Sequence, residues 1–429
     1  MIAVGAAVEV VDVPIGTPMA GFAARTGPSE GVLDPTTARA LALGGALLIA
    51  VDVCALHERS CEEVRRRLGS AATSCTVVAT HTHAGPACAG GRVGPAHEGL
   101  EQAVVDAAVR AGRRALASTV PCTLELARAT GLGVVHDRRR GIPADPPLSL
   151  LTARDRSGTV IARLAHLACH PVVMDASNRL ISGDFPAFLR SALEEADGGT
   201  AVFVPGCAGD LNTGHRAEDS YRADGGAARS PQEARRIGEL LAARALTAPA
   251  EELTAASGQE VVGARSRDVG LELAVPSPAQ IREDRSRWVA RRPGAPAPEA
   301  HLLDIWIAWA DAALGDPAPG RTWQGRVTAL RIGPLLLVTL PGEPFLRSAE
   351  RIEEGIRAAT GPGARIIVLG CADGVPGYLP PAEAYPEGGY EVADAHRYYA
   401  MPGPFAAGSA ERLERTAVAI GVELLEESR

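Results

Sequence analysis

The sequence predicts an α/β (α+β) fold with mixed β-sheets flanked by helices. Apolar runs of period two alternate along the chain with amphipathic stretches of period 3.6, which is the pattern of interleaved strands and helices. With 46% hydrophobic residues, 22% charged residues and a net charge of −8, the chain is too apolar and too weakly charged for disorder. It has no internal repeat of roughly 20–50 residues, so solenoids and propellers are excluded.

In chain order, short apolar runs predict strands over 3–11, 46–52, 75–80, 160–167, 201–204, 335–340 and 365–369. Helical periodicity predicts helices over 58–68, 100–117, 185–195, 231–246, 279–290, 301–314, 345–360 and 409–425. The stretch Ser230-Pro231-Gln232-Glu233 opens as a helix should, with a capping hydroxyl followed by proline in the first turn. Loops fall over 84–99, 131–147, 206–229 and 374–408. Five of the six tyrosines lie between Tyr378 and Tyr399, and all four tryptophans between Trp288 and Trp323. The tyrosine-rich loop reads as a capped edge or a binding surface.

The 429 residues amount to two or three ordinary domains or one large one, at roughly 100–200 residues per domain. There is no lysine, so all 43 basic residues are arginine. That removes a P-loop lysine, a Schiff-base lysine and a carbamylated-lysine metal bridge. The acidic balance argues against nucleic acid as a partner. No run reaches the ~18 apolar residues of a membrane helix, so no stable membrane anchor is expected. The first residues have no basic n-region, and none of the eight cysteines forms a C-x-x-C pair. A reducing, cytoplasmic setting with buried thiols is expected.

Four strand exits carry chemistry. His81-Thr82-His83-Ala84-Gly85-Pro86 follows an apolar run, and in extended backbone residues i and i+2 share a face. Two surface histidines are the plain alternative. His170, in Ala168-Cys169-His170-Pro171, ends another strand, as a ligand or as a packed histidine. Asp184, in the following Ser182-Gly183-Asp184-Phe185-Pro186, either orients an imidazole from behind or caps the next helix. Glu343, in Leu340-Pro341-Gly342-Glu343-Pro344-Phe345, is either a site carboxylate or a first-turn acid facing the helix dipole. In Gly206-Cys207-Ala208-Gly209-Asp210-Leu211-Asn212, Asp210 and Asn212 are candidate substrate-binding groups, or parts of an ordinary turn. Imidazoles and a carboxylate at strand exits suit Zn²⁺ in an open three-ligand site, where a metal-activated water would hydrolyse amides or esters.

Taken in order, these segments resemble the neutral/alkaline non-lysosomal ceramidase family. The likeness runs from the opening 10–25 with Gly21-Phe22 and Arg25, through Leu33-Asp34 and 48–52. It continues through THTHAGP, the Arg138-Arg139 loop, ACHPVV, SGDFP, GCAGDLN and LPGEPF to GYLPP…GGYE, which holds Tyr378 through Glu391. The resemblance implies one Zn²⁺ per chain, held by His81, His170, Glu343 and Tyr378. It implies His83 as a catalytic or substrate-polarising group, Tyr390 as a second active-site tyrosine and Arg138 as the substrate-side arginine. The implied reaction is hydrolysis of an N-acyl amide by zinc-activated water. Ligand candidates spread from His81 to Tyr378 favour one large catalytic domain over 1–429, with a weak sub-lobe boundary near 247–257.

Three departures from the family bear on substrate. An immunoglobulin-like C-terminal domain after Glu391 and a secretion signal are not expected from this sequence. Asn212 stands where ceramidases have a serine. The expected substrate is therefore a small soluble amide rather than ceramide, and a serine nucleophile at that turn is disfavoured. An esterase, lactonase or amide-forming cyclase using the same zinc site is the alternative activity. A barrel amidohydrolase lacks its eight regular βα units, a metallo-β-lactamase lacks H-x-H-x-D-H, and a non-catalytic binder would not keep a full ligand set. A homo-oligomer is left open.

Overall fold

A computed structural model describes residues 1–216, 228–253, 262–316 and 318–427. A nine-stranded sheet organises it. Its strands run in the order Thr200–Pro205, Val160–Leu167, Leu148–Asp155, Val120–Ala129, Ile2–Val10, Thr37–Leu43, Ala46–Val51 and Ser74–Ala79, and Ala250–Glu252 joins Val120–Ala129 from the side. The outermost pair at each end is parallel and the ladders between are antiparallel.

Alternation along a strand places each residue in one of two cores. On Ala46–Val51, Leu47, Ile49 and Val51 face the side covered by the helix Glu98–Ala117, whereas Leu48 and Ala50 face a second sheet. A strand covered on both faces reads as a continuous apolar run, which is why this one is so plain in the sequence. The second sheet has four strands, in the order Val262–Glu272, Thr322–Ile332, Leu335–Thr339 and Arg365–Leu369, and its last pair is parallel.

The large sheet curls, so that Thr200–Pro205 at one end packs against strands near the other end. Chain from the second sheet fills the seam. Val78 bridges Ala372 on one side, and Gly206 bridges Leu369 on the other. Three parallel pairs therefore send their carboxyl ends to one place, and residues 80–83, 168–170, 206–212, 340–343 and 370–373 leave the strands there.

Helices Pro278–Arg291 and Ala297–Gly315 pack on each other around Trp288, Trp306 and Trp309. The Arg397 guanidinium lies 5.0 Å from the ring centroids of both Trp288 and Trp306. Trp309 Nε1 donates to the Met401 carbonyl at 2.8 Å. The helix pair is thus tied to the tyrosine-rich segment.

The predicted helices are all present, displaced by a few residues at most. Five long strands go beyond the sequence expectation: Thr37–Leu43, Val120–Ala129, Leu148–Asp155, Val262–Glu272 and Thr322–Ile332. Charged residues interrupt their apolar pattern. Arg39, for example, sits mid-strand and reaches Glu194 and, at 2.8 Å, the Ala201 carbonyl. The expected loop over 374–408 contains the short helical segments Ala382–Glu387, Tyr390–Ala393 and Ala395–Tyr398. Of the expected boundary near 247–257, residues 250–252 pair into the large sheet and 254–257 lie outside the described residues, as do 217–227 of the expected loop 206–229. Among the described residues, no helix is long and apolar enough to cross a membrane.

Candidate active site

His81, His170 and Glu343 meet in the buried seam. Glu343 Oε2 lies 2.9 Å from His170 Nε2 and 3.2 Å from His81 Nε2. Each imidazole is fixed from behind, since His81 Nδ1 donates to the Cys54 carbonyl at 2.6 Å and His170 Nδ1 to the Ala208 carbonyl at 2.7 Å. A carbonyl can only accept, so in the neutral rings both Nε2 atoms carry lone pairs. Three acceptor atoms then face one another out of water, an arrangement that requires a cation between them or a proton on one ring. Burial opposes charge on all three, but the pairing with Glu343 holds His81 well above the ordinary histidine value, and His81 and His170 hold the Glu343 carboxyl well below its own. His170 is pushed down to about 4 by burial and Arg138. This donor set fits a divalent metal ion of zinc's ligand preference.

His83 stands beside the cluster, its Nε2 3.4 Å from His81 Nε2. The two rings do not meet because the backbone is extended, as the sequence suggested. The strand ends at Ala79, and His81 is in the left-handed region with φ 67°. Such a conformation is costly for a residue with a side chain and concentrates at functional sites. Burial, then the neighbouring His81 and His170, push His83 well below the ordinary histidine value. The opening motif cradles this ring. A Cβ at Gly21 (φ 97°) would lie 2.6 Å from it, the Phe22 ring sits 5.0 Å away, and Arg25 Nη2 donates to the His83 carbonyl at 3.0 Å.

Tyr378 is brought in by register, because Glu343–Pro344 pairs in parallel with Tyr378–Leu379 and sets Tyr378 opposite Glu343. Its ring stacks 6.2 Å from His170, and the Arg138 guanidinium lies 5.1 Å from its centroid. Burial pushes its phenol well above the ordinary tyrosine value despite Arg138. Arg138 is held by the buried Glu391 at 2.9 Å, and Glu391 also takes Arg139 at 2.9 Å. Arg138 Nη2 is buried without a hydrogen-bond partner among the described residues. Tyr390 lies 5.8 Å from Tyr378, ring to ring. His83, Arg138, Asn212, Tyr378, Tyr390 and Tyr399 line one small polar cavity.

Two expected site residues, Asp184 and Asp210, do other work, and Asn212 lines the cavity with its amide held by its own turn. Asp184 faces backbone amides rather than an imidazole, capping the helix at Phe185 and taking Met174 N at 3.0 Å, so it anchors the chain that follows His170. Asn212 reaches the cavity wall, but its amide is engaged by Gly214 N, His215 N and the His215 carbonyl. Asp210 turns away from the histidines and takes Leu346 N at 2.9 Å, capping a helix that lacks its own side-chain cap. The turn instead acts through its backbone. The Leu211 carbonyl takes His170 N at 3.0 Å, the Asp210 carbonyl takes Arg138 N at 2.9 Å, and a Cβ at Gly209 would stand 2.5 Å from the Glu343 carbonyl.

Burial raises the Asp210 carboxyl to about 6. A raised folded-state pKa gives stability that is present below about pH 4 and lost as pH rises through 6. Asp210→Asn keeps an oxygen for Leu346 N and has no charge to bury. It should gain on the order of 1 kcal/mol over wild type at pH 8, with the gain shrinking towards pH 5. Urea denaturation at the two pH values checks this, and an equal difference at both would refute it.

Tyr399, which no motif singled out, donates from its hydroxyl to Glu343 Oε1. The tyrosine cluster was the signal that could have found it.

The fold is that of neutral ceramidase. The crystal structure of neutral ceramidase from Pseudomonas aeruginosa superposes with a TM-score of 0.74 at 18% identity, over 99% of this chain and 75% of that one. A ceramidase complexed with C2 gives 0.75 at 19% identity with the same coverage. No family profile matches the sequence, and no curated protein is similar to it in sequence.

Proposed function

We propose that this protein is a zinc-dependent amidohydrolase that cleaves an N-acyl amide. The convergence of two carbonyl-backed Nε2 atoms and a carboxylate oxygen on one buried point carries this reading. The ceramidase fold supports it. His81, His170, Glu343 and the Tyr378 phenol would hold the ion, which when bound supplies Lewis acidity to water and to the amide carbonyl. Arg138, with a buried donor lacking a partner, is placed to hold the carbonyl oxygen as it gains charge, and Glu391 fixes the direction of that donor. Tyr390 shares this cavity and would provide a phenol on the same side. Burial favours the neutral form of His83, whose ring would take a proton in the cavity and return it to the leaving amine.

A second cavity supports an apolar acyl group over the small polar amide expected from the sequence. It measures about 640 Å³ and is lined by Met19, Phe22, Ile305, Trp309 and Met401 among others. It adjoins the polar cavity at Ala23 and Tyr398, which belong to both walls. Against N-acyl amides of increasing acyl length, kcat/KM should rise about fourfold per added methylene, from about 0.8 kcal/mol each, until the cavity is full. A flat dependence would remove the acyl assignment. Faster turnover of matched esters or lactones would favour the alternative activity.

A further inference from the structure

The two oxygens of Glu343 have different partners. Oε2 faces both imidazoles, whereas Oε1 takes the hydroxyl proton of Tyr399. Both residues are at most 2% exposed, so water does not compete for either oxygen. The Tyr399 ring is held in place by its surroundings. Gly377 has φ 127°, and a Cβ there would approach the ring to 3.4 Å. Tyr399 N donates to the Ala395 carbonyl at 3.1 Å, and on either side of it Tyr398 donates from its hydroxyl to the Val93 carbonyl at 2.9 Å while the Met401 carbonyl takes Trp309 Nε1. The phenol therefore meets Glu343 in one direction only.

We propose that Tyr399 is a positioning residue for the metal centre: by engaging Oε1 it confines Glu343 to offering a single oxygen, Oε2, to the ion. The inference rests on the zinc reading above. A carboxylate free at both oxygens can chelate through both and favours higher coordination numbers, whereas one oxygen suits the low coordination number that zinc prefers. Hydrogen bonds behind a ligand of this kind typically govern metal affinity by 10–100-fold. Glu343 sits on a two-residue strand, so its backbone alone does not restrain the carboxylate. The phenol is what distinguishes its two oxygens.

The test uses the full chain, stripped of metal and titrated with Zn²⁺ against a chromophoric chelator, and in parallel reloaded with Co²⁺ for visible spectroscopy. Tyr399→Phe should weaken Zn²⁺ binding by about 10–100-fold. It should also move the Co²⁺ spectrum towards the weaker absorption of higher coordination. Tyr385→Phe, which removes a phenol hydrogen bond to the Phe405 carbonyl elsewhere in the same segment, should leave both readouts at wild-type values. If wild type binds Zn²⁺ and Tyr399→Phe matches it in affinity and spectrum, the positioning role is overturned. If wild type itself binds no Zn²⁺, the zinc reading fails instead. Circular dichroism of the metal-free variants shows that the comparison is made on folded protein.

Discussion

Glu343→Gln is expected to abolish zinc binding and to lower kcat/KM by on the order of 10³-fold or more, about 4 kcal/mol, while the chain stays folded. The reason lies in the atoms that face Glu343. The glutamine carbonyl can still take the Tyr399 hydroxyl, and its amide can donate towards the two Nε2 lone pairs. The substitution thus resolves the crowding of acceptors without a metal, and thermal stability of the metal-free variant should equal or exceed that of metal-free wild type. Metal analysis, steady-state kinetics and a melting curve give the three readouts. A variant that keeps zinc and activity would show that the cluster is not the metal centre.

Arg190→Met, distant from the site, is expected to cost about 3–5 kcal/mol of folding stability. Arg190 and Asp52 form a bidentate pair at 2.6 and 2.9 Å, both nearly inaccessible to water. Thr37 adds its amide and hydroxyl to the same carboxylate. The pair links the end of Ala46–Val51 to the helix Phe185–Asp197. Burial alone would raise the Asp52 carboxyl, and Arg190 holds it below the ordinary value. Methionine fills much of the volume but leaves that carboxylate buried without its ion-pair partner, with Arg39 the remaining neighbouring positive charge. Adding Asp52→Asn should recover part of the loss, because the charge goes with it. Urea midpoints of wild type, both single variants and the double variant test this. Additive single effects would show that the two residues are not coupled.

Much of the fold was legible because of two-sided burial. The strands Val160–Leu167 and Arg365–Leu369 and the helix Glu58–Leu68 were predicted at their observed ends. Val262–Glu272 was not, since charged residues interrupt both of its faces, Arg265 and Arg267 on one and Asp268 and Glu272 on the other, and only Val269 and Leu271 are buried. In the site, His81, His170 and Glu343 were legible as imidazole and carboxylate at strand exits, and the structure brings their ring nitrogens and carboxylate oxygen together. Asp210 illustrates the opposite case. A turn that works through its carbonyls and a glycine looks, in sequence, like a turn that works through its side chains. Tyr399 stayed hidden because its partner lies far away in the chain and only the packing of residues 395–401 aims its hydroxyl.

The seam has a consequence for how the protein is made. Both open flanks of the large sheet are covered by chain near residues 369–372, close to the C-terminal end of the sequence. Contacts of such long sequence separation form late, because the entropy of closing the loop must be met before they stabilise anything. A nascent chain that has not reached this segment exposes two bare strand edges, each a template for pairing with another chain. The interval of synthesis before this segment emerges is therefore when the chain is most exposed to aggregation.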